Sequence, residues 1–261
     1  MTIETVQPPR PRAGFWRRLL AFIIDMAVVL IPLQIVVTIL FAQTNGAIQG
    51  SFGVLRSTTC TPVKTLPEML QPAPPAGYNF ILDCKTGLVH GFETSRSLTV
   101  GKETQTGDTR STVSVTYPLG ADGKPKDNVF YVNWLAILIL FAYLVFMESR
   151  SGVTFGKRCV DVRAIDLADS AQVGLPVRKA VTRQLAKLIG SIPAFSVLLV
   201  LYANVRGVED MQTILGTPWF RFVSIGGWLI GAAWLLWIVV SLARKDDPIY
   251  DRLAGTAVIL K

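Results

Sequence analysis

Four apolar windows, each about as long as a bilayer is thick, limit what this chain can fold into more than any other feature. They cover residues 19–42, 129–147, 185–205 and 222–243. A helix rises about 1.5 Å per residue, so roughly 20 apolar residues cross a hydrocarbon core about 30 Å thick. Composition agrees, since 17% of the residues are charged where a soluble domain carries about a quarter. The third window is the least regular, with Lys187 near its start and Pro193 inside. A membrane helix tolerates Pro when neighbours satisfy the freed carbonyl, and a Lys near a helix end can snorkel. The first window has a basic lead-in, Arg17 and Arg18. It is longer than the roughly 7–15-residue apolar core of a signal peptide, and no small-residue cleavage site follows it. It reads as retained. The expected fold class is an α-helical membrane protein with about four transmembrane helices, a small β-rich extracytoplasmic loop domain, and a small cytoplasmic element of strand and amphipathic helix.

The basic residues orient the chain. The tail 1–18 holds Arg10, Arg12, Arg17 and Arg18 against Glu4. The loop 148–184 is rich in Arg and Lys, and the C-terminal segment 244–261 adds Arg244, Lys245, Arg252 and Lys261. Short basic segments stay in the cytoplasm, whereas long loops translocate largely regardless of charge. Both termini and 148–184 are therefore expected inside, with 43–128 and 206–221 outside. The net charge of +8 is a topology signal with attraction to anionic headgroups. A nucleic-acid partner is not expected, because the basic residues are not interleaved with exposed aromatics on a soluble face.

The segment 43–128 changes character along its length. Up to about 77 it is rich in Gly, Thr, Ser and Pro and reads as irregular connection. From Tyr78 to Tyr117 short β-branched runs alternate with turn residues and read as strands of an antiparallel sheet, and Asp122-Gly123 is a further turn signal. Cys60 and Cys84 both fall here. In an oxidising compartment a disulfide is favoured over two buried thiols, and it would staple a small domain. Cys159 reads as a reduced, inert core residue. His90 has no Cys or His at metal spacing, so no metal site is expected.

Three stretches could carry chemistry. In 18–25, Arg18 and Asp25 are seven apart, so they share a helix face about 10 Å apart along the axis. Asp25 lies about two turns into the hydrocarbon, where an acid must be paired, hydrated or protonated. It is either an ion or proton site or half of an ion pair with Lys187, Arg183 or Arg252. In 151–158, Gly152, Thr154, Gly156 and Lys157 invite a nucleotide-loop reading, but the glycines are one residue too close and Arg158 replaces the hydroxyl residue. The plainer reading is a membrane-surface turn and short amphipathic helix with Lys157 and Arg158 facing headgroups. The following CVDVRAI alternates like a strand. In 246–256, Pro248 suits a helix start capped by Asp246 or Asp247, and Gly255 suits its end. The final TAVIL reads as a strand that pairs with VDVRAI.

Taken together, R-x-x-A-x-x-I-D at 18–25, S-G-x-T-x-G-K-R at 151–158 and D-R-L-A-G-T at 251–256 resemble the RDD family of bacterial membrane proteins. The stretch from Gly174 to Arg183 resembles the family's polar lead-in to its next helix. The resemblance covers somewhat over half the chain. By position it maps the signature Arg to Arg18, with Arg17 the adjacent alternative, and the two Asp to Asp25 and Asp251. It implies transport of an unidentified ligand, with cation/proton antiport claimed for some members. The long outer loop departs from the family's shorter form and suggests an outward-facing partner.

Two function classes follow. In the first, a transporter or antiporter uses Asp25 as carrier, Arg18 or Lys187 to tune it, and Asp251 at the cytoplasmic mouth. Four helices make a thin pathway, so a homo-oligomer is expected, with Gly227-x-x-x-Gly231 as a packing face. In the second, a scaffold or accessory subunit uses Arg18, Asp25, Asp251, Lys187 and Arg252 as a structural charge network, and 43–128 binds a partner. No nucleophile–base pair or cofactor loop stands out, so neither an enzyme nor a cofactor is expected. The lipid bilayer is a partner under both readings.

Overall fold

The computed structural model describes residues 11–52, 56–67, 70–88, 92–204, 214 and 217–261. His90 and most of the 206–221 loop lie outside these residues, as do Glu4 and Arg10 of the tail. Among the described residues, four helical segments are long and apolar enough to cross a membrane: Phe15–Gln43, Asn133–Ser151, Val177–Leu201 and Pro218–Ala243. The first is α1 (Phe15–Gln43) and the second α2 (Asn133–Ser151). A short α3 (Phe155–Cys159) follows. The third segment is built from α4 (Val177–Lys187), a 3-10 turn (Ile189–Ser191) and α5 (Ile192–Asn204). Helix α4 thus begins well ahead of the apolar window 185–205, and the face it buries carries Ala180, Arg183, Gln184 and Ala186. The last two helices are α6 (Pro218–Ala243) and α7 (Ile249–Ala254).

The chain divides into two compact units, one made of 1–25 with 141–261 and the other of 26–140. The second unit holds a four-stranded antiparallel sheet of β2 (Ser57–Pro62), β3 (Phe80–Gly87), β4 (Glu93–Thr106) and β5 (Thr109–Pro118), in that order. Strands β3 to β5 fall on the alternating runs read from sequence. Their inward residues Ile81, Leu98, Val100 and Tyr117 bury against Leu70 and Leu119. Strand β2 was not expected inside a Thr-rich stretch read as irregular. It is exposed along its whole length, so it carries no apolar alternation to read, and its pairing with β3 defines it. Cys60 and Cys84 are direct partners in that pairing and form a disulfide. A separate parallel pair, β1 (Ile48–Gln49) with β6 (Phe130–Tyr131), completes this unit. It is anchored by the buried Gln49, whose amide donates to the carbonyls of Gly46 and Leu119 while its oxygen accepts from Ser95.

In the first unit, β7 (Val162–Asp166) and β8 (Thr256–Leu260) pair antiparallel, as the sequence patterns of VDVRAI and TAVIL suggest. Residues 11–13 ahead of α1 bridge to β8, with Arg12 opposite Ile259, the Ala13 amide donating to Val258 and the Leu260 amide to Pro11. Ala13, Val162, Ala164, Leu175, Ala180 and Val258 form the core that this plate shares with α4. Helix α7 starts after Pro248 without a side-chain cap, so Asp246 and Asp247 do not play that part. Asp247 is drawn instead to Arg12, 2.9 Å away. Gly255 ends α7 at φ 63°, the left-handed turn that Gly adopts at least cost. The glycines of α6 also find a use within the chain. Gly231 lies against the Gly190 carbonyl and Gly227 against Pro193, while a Cβ on Gly190 would meet the Trp234 ring at 2.3 Å. The small-residue face expected to join two copies is occupied by the chain's own third segment.

Candidate functional site

Each chemistry-bearing stretch ends up in the first unit, around one buried cluster of charge. Helix α1 presents Arg18, Ala21 and Asp25 on one face. Arg18 donates from Nη1 to Oδ2 of Asp251 at 2.6 Å and from Nε to the Ala13 carbonyl at 3.0 Å. Asp251, on α7, is fully buried; its other oxygen accepts from Arg183 Nε at 2.6 Å and from the Thr256 hydroxyl at 3.3 Å. Arg183, on α4, reaches on to Glu148 of α2 at 2.9 Å, and Lys157 of α3 donates to the same Glu148 oxygen. The second Glu148 oxygen accepts from Gln184 at 2.9 Å, and Lys187 donates to Gln184 at 2.8 Å. Arg183 and Lys187 also stand over the ring of Tyr250, at 5.8 and 5.3 Å from its centre. One ladder of alternating charge thus ties α1, α7, α4, α2 and α3 together.

Asp25 is buried beside this ladder but is not a rung of it. Its carboxylate accepts from the Thr154 hydroxyl at 2.5 Å, the Gly156 amide at 2.8 Å and the Tyr143 hydroxyl at 3.0 Å. None of Lys187, Arg183 or Arg252 pairs with it, contrary to the expectation of an intramembrane ion pair. The reason is local. Thr154 caps α3, its hydroxyl accepting from the Lys157 amide; the Phe155 amide donates to the Tyr143 hydroxyl and the Gly156 amide is aimed at Asp25 of α1. A Cβ on Gly156 would sit 2.0 Å from the Ala21 carbonyl oxygen, so only Gly lets α3 come close enough for the bond. Gly152, at φ 67°, makes the turn from α2 into this loop.

That close approach also corrects the reading of Lys157 as a headgroup-facing residue. With Gly156 pressed on Ala21, the next side chain points inward to Glu148 and is 8% exposed. Arg158 remains exposed, and so does Cys159, which is not the core residue expected. Arg252 lies outside the cluster, on the exposed side of α7, and donates to the Asp247 carbonyl.

Burial and charge oppose each other at these groups. Burial pushes the Asp251 carboxyl up, but Arg183 and Arg18 outweigh it and hold it below its ordinary value. Burial pushes the Lys157 ammonium down, and Glu148 offsets this only in part. Tyr250 is pushed up to about 12 by burial, then by the neighbouring Asp251.

Sequence reasoning singled out Arg18, Asp25, Asp251, Lys187, Gly152, Thr154, Gly156 and Lys157, and the fold brings all of them to this region. It missed Glu148 and considered Arg183 only as a partner for Asp25. A signal for Glu148 was present: it is an acid closing an apolar run, nine residues ahead of Lys157. Among the described residues no group of three His, Cys, Asp or Glu side chains could hold a metal ion.

The cluster lines a cavity of about 340 Å³. Arg18, Lys157, Arg183, Lys187, Asp25 and Glu148 line it together with the apolar Leu235, Ile238, Val239 and Leu242 of α6.

No curated protein and no solved structure matches the chain. The model of the RDD family matches residues 125–255, a span that includes Glu148, Lys157, Arg183, Lys187 and Asp251. Arg18 and Asp25 precede that span, yet their side chains are held by its residues. With half the chain matched and four helices fit to cross a bilayer, this is a multi-pass membrane protein that belongs to the RDD family.

Proposed function

We propose that the chain is a non-catalytic membrane scaffold or accessory subunit in the bacterial cytoplasmic membrane. Its charge ladder locks the cytoplasmic ends of the helices, and its 43–128 segment binds a partner outside. The observation that carries this reading is the saturation of Asp25. Three donors, from α2, the Thr154 cap and the α3 amide, converge on its carboxylate. A carrier acid must exchange its bound cation or proton, whereas three converging donors hold this carboxylate fixed. The Cys60–Cys84 disulfide suits an oxidising outer compartment, and the basic termini and 148–184 suit the inside.

Cation/proton antiport is the second reading. It is favoured by the position of Asp25 on the wall of a cavity that Lys187 also lines. A homo-oligomer would then have to use a surface other than the Gly227–Gly231 face.

Reconstituted proteoliposomes separate the two. Under the scaffold reading, wild type catalyses no Na⁺/H⁺, K⁺/H⁺ or Li⁺/H⁺ exchange. Asp25→Asn loses about 1–3 kcal/mol of stability, because the amide nitrogen cannot accept from Thr154 or Gly156. Exchange by wild type that vanishes in an Asp25→Asn protein of unchanged elution and Tm would establish the antiport reading instead.

A further inference from the structure

We propose that the cavity beside the charge ladder is a discrete site for one anionic phospholipid, its phosphate at Lys187 and its acyl chain along α6.

The argument begins with charge. The cluster holds four cations, Arg18, Lys157, Arg183 and Lys187, and three acids, Asp25, Glu148 and Asp251. Arg183 bridges both ladder acids, Arg18 pairs with Asp251, and Lys157 pairs with Glu148, while Asp247, 4.0 Å from Arg18, is matched by Arg12 at 2.9 Å and leaves the count unchanged. Lys187 pairs with no acid among the described residues; it bonds an amide oxygen and lies over a tyrosine ring. Asp25 pairs with no cation among the described residues and is satisfied by neutral donors. With every group counted as ionised, the sum is one positive charge in excess. Buried or membrane-embedded charge is costly when unmatched, and a phosphodiester carries the single negative charge that closes it.

The shape then selects the class of anion. The four α6 residues on the apolar wall recur at three- and four-residue intervals, so they form one stripe along the helix. Phe22 of α1 joins them, and Phe22 and Leu235 are 42% and 62% exposed. The wall thus continues onto exposed apolar surface of two helices long and apolar enough to cross a membrane. A cavity of about 340 Å³ is too small for a whole phospholipid but takes a phosphate and the start of one chain, with the remainder running out along α6. A free phosphate satisfies the charge and leaves the stripe unused. This inference rests on neither reading of Asp25: an exchange assay with either outcome leaves it standing.

The test uses the full chain in a neutral detergent, titrated separately with phosphatidylglycerol, phosphatidylcholine and inorganic phosphate. Tm and lipid retained in native mass spectra are the readouts, with Lys187→Gln and Leu235→Trp as variants. Phosphatidylglycerol is expected to raise Tm saturably and to be retained one per chain, well ahead of phosphatidylcholine. Lys187→Gln strands no acid, so it should fold, and it should weaken the phosphatidylglycerol response roughly fivefold while leaving the phosphatidylcholine response unchanged. Leu235→Trp, which narrows the apolar wall without touching charge, should weaken it as well, and it keeps the test open should Lys187→Gln not fold. Equal responses to the two lipids would overturn the proposal, as would variants that respond like wild type. So would stabilisation by inorganic phosphate equal to that by phosphatidylglycerol, which would make this a free-anion site.

Discussion

Two guanidinium groups and a hydroxyl converge on the Asp251 carboxylate, which has no contact with solvent. Burial would raise its pKa, and the two arginines more than reverse that. A folded pKa below the ordinary value near 4 means that the unfolded chain takes up the proton more readily. The stability that Asp251 contributes is therefore full above about pH 4 and is lost as pH falls through the lower folded value. Asp251→Asn should lower Tm at pH 7, and its deficit relative to wild type should shrink as pH falls from about 4 to 3. Thermal unfolding in detergent across that range checks this. A deficit that stays constant would mean that the charge of Asp251 is not what the arginines need.

Elements of very different size share the work of placing these residues. Helix α3 has five residues, far too few to be stable alone. It persists because Thr154 caps it, Asp25 accepts from its Gly156 amide and Lys157 ties it to α2. In the other unit, the edge strand β2 has no buried residue to hold it. Its cross-strand bonds and the Cys60–Cys84 link are what join it to β3. Serine at both cysteines should lower the stability of the 26–140 unit by about 2–4 kcal/mol. The comparison is unfolding of wild type with and without reductant: a reductant effect in wild type that is absent from the double serine variant is expected. No reductant effect would show that β2 is held by its backbone bonds alone.

For the molecule as a whole, the decisive feature of the first unit is that its two ends meet. Residues 11–13 add to β8, and Arg18 bonds Asp251 across 233 positions of sequence. Removing one member of a buried ion pair strands its partner and costs about 3–5 kcal/mol, whereas removing both leaves less charge unmatched. Arg18→Met and Asp251→Leu should each be strongly destabilising. The double variant should be less destabilised than the sum of the two, with a coupling of about 1–3 kcal/mol. Additive losses would mean that Arg18 and Asp251 act independently.

What sequence alone determined follows from local physics. Apolar windows long enough to span a bilayer mark the four helices, alternation marks β3, β4, β5, β7 and β8, and Gly255 marks the end of α7. The short motifs were also legible as a group, since Arg18, Asp25, Gly156, Lys157 and Asp251 all reach one region. The tertiary structure alone decided how they pair. Asp25 turned out to meet an amide and two hydroxyls, and Arg18 to meet Asp251. Glu148 emerged as the centre of the ladder, and Arg252 fell outside it. Helical periodicity reports which face a side chain is on, but not which of several oppositely charged groups, distant in sequence, will stand within 3 Å of it. That choice rests on contacts such as the one between Gly156 and Ala21, where the absence of one Cβ sets how closely two helices approach.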